Sequence, residues 1–195
     1  PGRGSDSLAC PARLGQDRAM DDLVKAALQK WPNVPACHGW LGLDARGAWY
    51  MRDDAVQAAG PFARAKGDRI EHVQLRAFIE RNYQLDEQGR AYFQNGPQQV
   101  FVSLEVAPWI LGVQRIGRDD VEVRTHTGRA WPLIDASWVD EHGRLFLASS
   151  EGLGLVRSTD MAAAADLVEI GCWEPQATRF AELVERYRVC LDPRP

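Results

Sequence analysis

Only Lys25, Lys30 and Lys66 are lysines among the 23 basic residues, and the net charge is −4. The one basic cluster, Arg64, Lys66, Arg69 and Arg76, has Asp68 and Glu71 set within it. That is the composition of a solvated face, whereas nucleic-acid binding needs a basic domain or a coherent basic stripe. Nucleic acid is therefore not an expected partner. Cysteine is equally sparse: Cys10, Cys37, Cys172 and Cys190 stand far apart with no C-x-x-C, which disfavours structural zinc and a disulfide framework. Cys37 and His38 are neighbours, but adjacent strand residues point to opposite faces and do not converge on one metal. No apolar run approaches the roughly 20 residues that span a bilayer, and no basic-then-apolar leader opens the chain. A cytoplasmic protein without membrane association is expected.

The chemical motifs that would announce an enzyme are also missing. His38, His72, His126 and His142 have neither H-x-x-x-H nor H-E-x-x-H spacing, so only the fold could bring them together as a metal site. "EGLGLV" lacks the third glycine of a dinucleotide fingerprint and is followed by no helix, and there is no Walker-type loop. No cofactor is expected. "ASSEG", Ala148–Gly152, approaches a nucleophile elbow. That elbow must turn into a helix and needs a histidine later in the chain, and none follows His142. Asp119 and Asp120 are adjacent and diverge, so nothing marks a paired-acid glycosidase.

What the chain does have is a repeated phrase. It reads "LDARGAWYM" at Leu43–Met51, "LDEQGRAYF" at Leu85–Phe93 and "VDEHGRLFL" at Val139–Leu147. Aspartate at the first turn position bonds back to the backbone, and glycine accepts the left-handed conformation that closes a tight loop. Three hairpins are predicted, centred near Arg46, Gln88 and His142. Calcium binding at Asp44, Asp86 and Asp140 is disfavoured, because a hard-cation loop needs several oxygen ligands at alternate positions. The phrases recur after 42 and then 54 residues, which is no solenoid period.

Apolar spacing predicts helices at about Asp21–Lys30, His72–Asn82 and Asp160–Val168, and around Phe180–Tyr187 with Pro175 near the first turn. Strand patterns fall on "HGWLGL", "GAWYMR", "RAYFQ", "QQVFVSLEV", "DVEVRTH", "SWVDE" and "GRLFLAS". Hairpin pairs without a strand-helix-strand series predict an α+β fold, with an antiparallel, hairpin-rich sheet or sheets packed by three to four helices. Residues 1–19 carry no period and read as upstream translation or a flexible tail. Residues 20–195 read as one compact domain, with two lobes, 20–116 and 117–195, divided at Gly117–Asp120. Most of the seven tryptophans are assigned to the core or to sheet faces.

The stretch "YFQNGPQQVFV", Tyr92–Val102, places amides around a Gly-Pro pair between two apolar runs. Gln94, Asn95, Gln98 and Gln99 there could serve the loop's own backbone groups. The functional alternative joins Arg81 and Asn82, at the end of the preceding helix, to Gln94, Asn95 and Gln98 in a ligand-binding pocket with one cation and no nucleophile or base. Two classes of function follow. One is a non-catalytic binding or interaction module for a small ligand or protein partner, as a monomer or a homodimer. The other is a small enzyme whose acid or base, for example His72 or Glu105, is assembled only by the fold.

"RIEHVQLRAFIERNYQLDEQGRAYFQNGPQQVFVSLEVAPW", Arg69–Trp109, resembles a group of uncharacterised, mainly proteobacterial proteins grouped as domains of unknown function. More loosely, the G-x-W strand, a helix, D-x-x-G-R-x-Y and a later V-A-P resemble a second uncharacterised family of small α+β proteins. The resemblance covers about Cys37 to Val168. It implies an α+β fold and a bacterial cytosolic setting, and it transfers no active-site residue.

Overall fold

The structure, a computed structural model, describes residues 22–31, 33–116 and 121–195. The tail expected over residues 1–19, Cys10 and the boundary expected at Gly117–Asp120 lie outside the described residues. All three D-x-x-G phrases close hairpins. In each, the aspartate Oδ1 accepts the N–H groups two and four residues on: Arg46 and Ala48 for Asp44, Gln88 and Arg90 for Asp86, His142 and Arg144 for Asp140, at 2.8–3.0 Å. Gly47, Gly89 and Gly143 take φ of +84°, +74° and +72°, where a β-carbon would be strained. A fourth turn of the same build runs from Thr125 to Arg129, with the Thr125 hydroxyl accepting Arg129 N–H at 3.2 Å. Threonine standing in for aspartate hides it from the repeat.

The hairpins assemble into two six-stranded sheets. The first holds β1 (Cys37–Leu43), β2 (Trp49–Met51), β3 (Asp68–Arg69), β4 (Tyr83–Leu85), β5 (Ala91–Asn95) and β6 (Gln98–Leu104) in the order β3-β2-β1-β6-β5-β4. The second holds β7 (Trp109–Arg115), β8 (Val121–Thr125), β9 (Ala136–Val139), β10 (Leu145–Ser149), β11 (Gly152–Val156) and β12 (Gln176–Ala177) in the order β12-β9-β10-β11-β7-β8. The sheets are mixed, which corrects the antiparallel expectation: β1 runs parallel to β6, β11 to β7 and β12 to β9. Local turn chemistry dictates the antiparallel hairpins; these parallel pairs join strands distant in sequence and leave no local signature.

The helices are α1 (Asp22–Lys30), α2 (Asp54–Ala59), α3 (Val73–Arg81), α4 (Met161–Glu169) and α5 (Phe180–Arg186), five among the described residues rather than three to four. The overlooked α2 has its signals in place, since the Asp53 side chain caps Val56 N–H at 2.8 Å. His72 caps α3 by accepting Leu75 N–H through Nδ1 at 3.2 Å. The last helix starts at Phe180, not near Pro175, because Gln176 and Ala177 pair with β9 as a strand and Glu141 accepts Phe180 N–H at 2.7 Å. "WILGVQR", also overlooked, forms β7. None of these helices is long and apolar enough to cross a membrane.

One buried apolar cluster runs through both sheets, from Leu41 and Leu43 to Phe146, Leu147 and Leu183. Its centre is aromatic. Tyr83 and Trp109 meet edge to face at 5.1 Å, Trp49 lies 5.5 Å from Tyr83, and His126 lies 5.2 Å from Tyr83. The Tyr83 hydroxyl donates to Pro108 O at 2.6 Å, which ties β4 to the segment where the first sheet passes into the second.

Candidate functional site

The amide loop contains little free chemistry. In the β5–β6 hairpin Gln94 pairs with Gln99 and Asn95 with Gln98, so the pleat sends the two pairs to opposite faces. Gln94 is buried and its amide donates to Gly96 O at 3.0 Å, closing the turn from within. Gln98 Nε2 donates to Pro35 O at 3.0 Å. Asn82 is buried, its side-chain amide donates to Phe78 O at 3.0 Å, and its backbone carbonyl accepts Gln94 N–H at 3.0 Å. Arg81 is half-buried in the last turn of α3. The backbone brings Asn82 beside Gln94, but Asn95 and Gln98 stand on the other face from Gln94.

The outer face of the first sheet offers more. Register places Gly42 between Tyr50 on β2 and Ser103 on β6, all on one face, while Leu43, Trp49 and Leu104 face the core. Two segments cover this face. One is the chain after α2, whose Phe62 ring occupies the space over Gly42 that any side chain there would fill. The other is the C-terminal segment, held by Leu104 N–H to Leu191 O at 2.7 Å, by Ser103 to Asp192 at 3.4 Å, and by His38 Nδ1–H donating to Pro193 O at 3.2 Å. His38 is itself stacked on Phe101 at 4.6 Å.

Between the two covers lies a cavity of about 400 Å³, walled by His38, Arg52, Gln57, Pro61, Asp192 and Arg194. That is the size range of small-molecule sites. Arg52 is its distinctive residue, only 3% exposed. Its Nε donates to Ala65 O at 3.0 Å, Nη2 to Gly60 O at 2.6 Å and Nη1 to Gly39 O at 3.5 Å. A guanidinium has five N–H groups, so two remain without a protein acceptor among the described residues. No carboxylate among those residues lies within ion-pair distance of it. Burial pulls the Arg52 pKa down, and the charge of Asp192 pulls it partly back.

Past the far end of β1 is an ionic cluster that exists because one hairpin departs from the pattern. Arg90 and Arg144 fold back on Asp86 and Asp140, each with Nε donating to the carboxylate at 2.7 Å. In the first hairpin the equivalent position is Ala48. The open Oδ2 of buried Asp44 instead receives Tyr50 OH at 3.2 Å and lies 3.8 Å from Lys66 Nζ. Lys66 also binds Glu105 at 2.8 Å, and Glu105 accepts Ala45 N–H at 2.8 Å. Burial first, then Asp44, pushes the Tyr50 hydroxyl pKa up. These contacts tie the carboxylates to one another and to the backbone.

His72, weighed as an acid or base, serves as a helix cap. Ser149 and Ser150 stand at the β10–β11 turn, where the Ser149 hydroxyl accepts Glu151 N–H at 3.1 Å. Sequence reasoning missed Arg52 and the C-terminal wall altogether. The only local signal was an arginine at the end of an otherwise apolar strand, directly before the Asp53 cap.

Residues 20–191 match the family described as "Protein of unknown function (DUF2946)", and the chain belongs to that family. The resemblance seen at Arg69–Trp109, to proteins without an established activity, therefore holds. No curated protein matches the chain. Among solved structures, it is similar to a DUF1285 family protein from Silicibacter pomeroyi DSS-3, at 14% identity and a TM-score of 0.49, over 78% of this chain and 79% of that one.

Proposed function

We propose that this chain is a non-catalytic small-ligand binding module working in the bacterial cytosol, with the cavity on the outer face of the first sheet as its site. The observation that carries this reading is the buried Arg52, which forms a wall of a ligand-sized cavity while two of its donors stay uncommitted. Residues 20–195 act as one body: the second sheet backs the first through the shared aromatic core, and the outer face of the first is left to the site. The two sheets meet between Leu104 and Trp109.

An enzymatic reading has one observation in its favour, the contact of Asp44, Lys66 and Glu105. Those groups are engaged with one another, with Tyr50 and with the Ala45 amide, so an acid or base would first have to be released. The test of the binding reading is a native mass spectrum of residues 20–195 purified gently, followed by amide NMR with whatever mass is retained. A retained compound that shifts residues 38–40, 57–60 and 191–194 supports the cavity. A compound that shifts residues 94–99 instead would move the site to the amide loop. The same spectrum reports whether the protein is a monomer or a homodimer.

A further inference from the structure

The cavity's chemistry names a class of ligand, an inference that rests on the binding reading above. Its walls carry two guanidinium groups, Arg52 and Arg194, and one side-chain carboxylate, that of Asp192. Asp192 is not passive. Its Oδ2 accepts from Arg194 Nε at 2.9 Å and Nη2 at 2.6 Å, and its Oδ1 faces the Ser103 hydroxyl at 3.4 Å. It is thus a built-in anion at the cavity edge, bound to the exposed cation while the buried cation is left to backbone carbonyls. Carbonyl dipoles satisfy geometry without cancelling charge, so the buried guanidinium keeps a net demand for an anion.

The remaining lining combines the polar side chains of His38 and Gln57 with an apolar, proline-rich surface. Pro61, Pro193 and Pro195 supply its apolar part, while the Gln57 side chain fills the space over Gly39. At Gly60 an added β-carbon would meet nothing within 4 Å, so the space beside it is open. A ligand suited to these walls has one anionic oxygen group and a short apolar body.

We propose that the cavity binds a small carboxylate or phosphate-bearing compound, whose oxygens accept the two uncommitted Arg52 N–H groups while Arg194 turns from Asp192 to the ligand. Asp192 acts as an internal competitor: its carboxylate holds Arg194 in the free protein and opposes a second anion beside it. No bond is made or broken, and Asp192 is a positioning residue that sets affinity.

The test uses amide NMR titration of the full chain with three probes, inorganic phosphate, butyrate and uncharged butyramide. Expected are saturable shifts at residues 38–40, 57–60 and 191–194 with butyrate, phosphate or both, and butyramide weaker by at least about tenfold, as the loss of a charge-assisted pair implies. Whichever anion binds more tightly identifies the carboxylate or phosphate source. Asp192→Asn retains a polar partner for Ser103 and is expected to tighten anion binding several-fold, whereas Arg194→Ala weakens it, both with unchanged spectra elsewhere. Because Arg52 also staples the fold, neither variant touches it. Equal binding of butyrate and butyramide would overturn the anion assignment and leave the cavity as a binding site. No shift with any probe, in either the parent chain or Asp192→Asn, would overturn the inference itself. A compound retained in the native mass spectrum would still decide the binding reading separately.

Discussion

His126 should make this protein sensitive to mild acid. Its imidazole packs among Trp49, Tyr83 and Trp109 at ring distances of 5.2–6.0 Å, with Nε2 shielded from solvent. Nδ1 accepts Ile110 N–H at 3.3 Å, and Nε2 has no partner among the described residues. Burial, reinforced by the charges of Arg129 and Arg157, pulls its pKa from 6.5 down to about 3. The folded protein therefore keeps this ring neutral, while the unfolded chain takes up a proton below pH 6.5. Stability is unaffected by His126 above pH 6.5 and falls as the pH drops from 6.5 towards 3. The slope approaches about 1.4 kcal/mol per pH unit, so the loss is roughly 2 kcal/mol at pH 5 and 3 kcal/mol at pH 4. Urea denaturation at pH 7 and pH 5 would measure it, with His126→Gln as the control that retains an acceptor for Ile110 but cannot titrate. The variant starts less stable, having lost the ring contacts, yet should lose about 2 kcal/mol less than the parent between the two pH values. Equal losses in both proteins would refute the reasoning, as would an imidazole NMR titration with a midpoint above pH 5.

Arg52→Met should cost roughly 3–5 kcal/mol, because it leaves the carbonyls of Ala65, Gly60 and Gly39 without their buried donor; unfolding midpoints in urea would check this. Gly42→Val puts side-chain atoms where the Phe62 ring lies, so a destabilisation of about 1–3 kcal/mol from overpacking is expected. Faster proteolysis of residues 60–66 would locate the damage. Phe146→Ala, in the middle of β10 and fully buried, should cost about 3–5 kcal/mol by calorimetry. The double variant Asn95→Ala, Gln98→Ala removes the bond to Pro35 and should cost only about 1 kcal/mol. Anion titrations of that variant should match the parent.

The three hairpins could be read from the chain because their cause is local. Aspartate, glycine and the N–H groups between them lie within five residues, and the turn they make needs nothing from elsewhere. The same holds for α3 and α4, whose apolar spacing and flanking residues announce them. Helix α2 was missed although its cap was present, because six residues are too few to display a period. Sheet order was never local: β1 meets β6 and β11 meets β7 across dozens of residues, and the choice of parallel pairing rests on how two sheets share one core.

The site divides the same way. The amide cluster is conspicuous in sequence, yet the pleat of β5 and β6 parts its members, and Gln94 and Gln98 donate to the backbone. The cavity draws on His38, Arg52, Pro61 and Asp192, which come from four separate stretches and share no motif. The sequence determined its own turns, helix caps and charge balance, since those depend on neighbours along the chain. Which arginine is buried, which carboxylate stands opposite it and what space remains between them were decided only when the tertiary structure closed two covers over one sheet face.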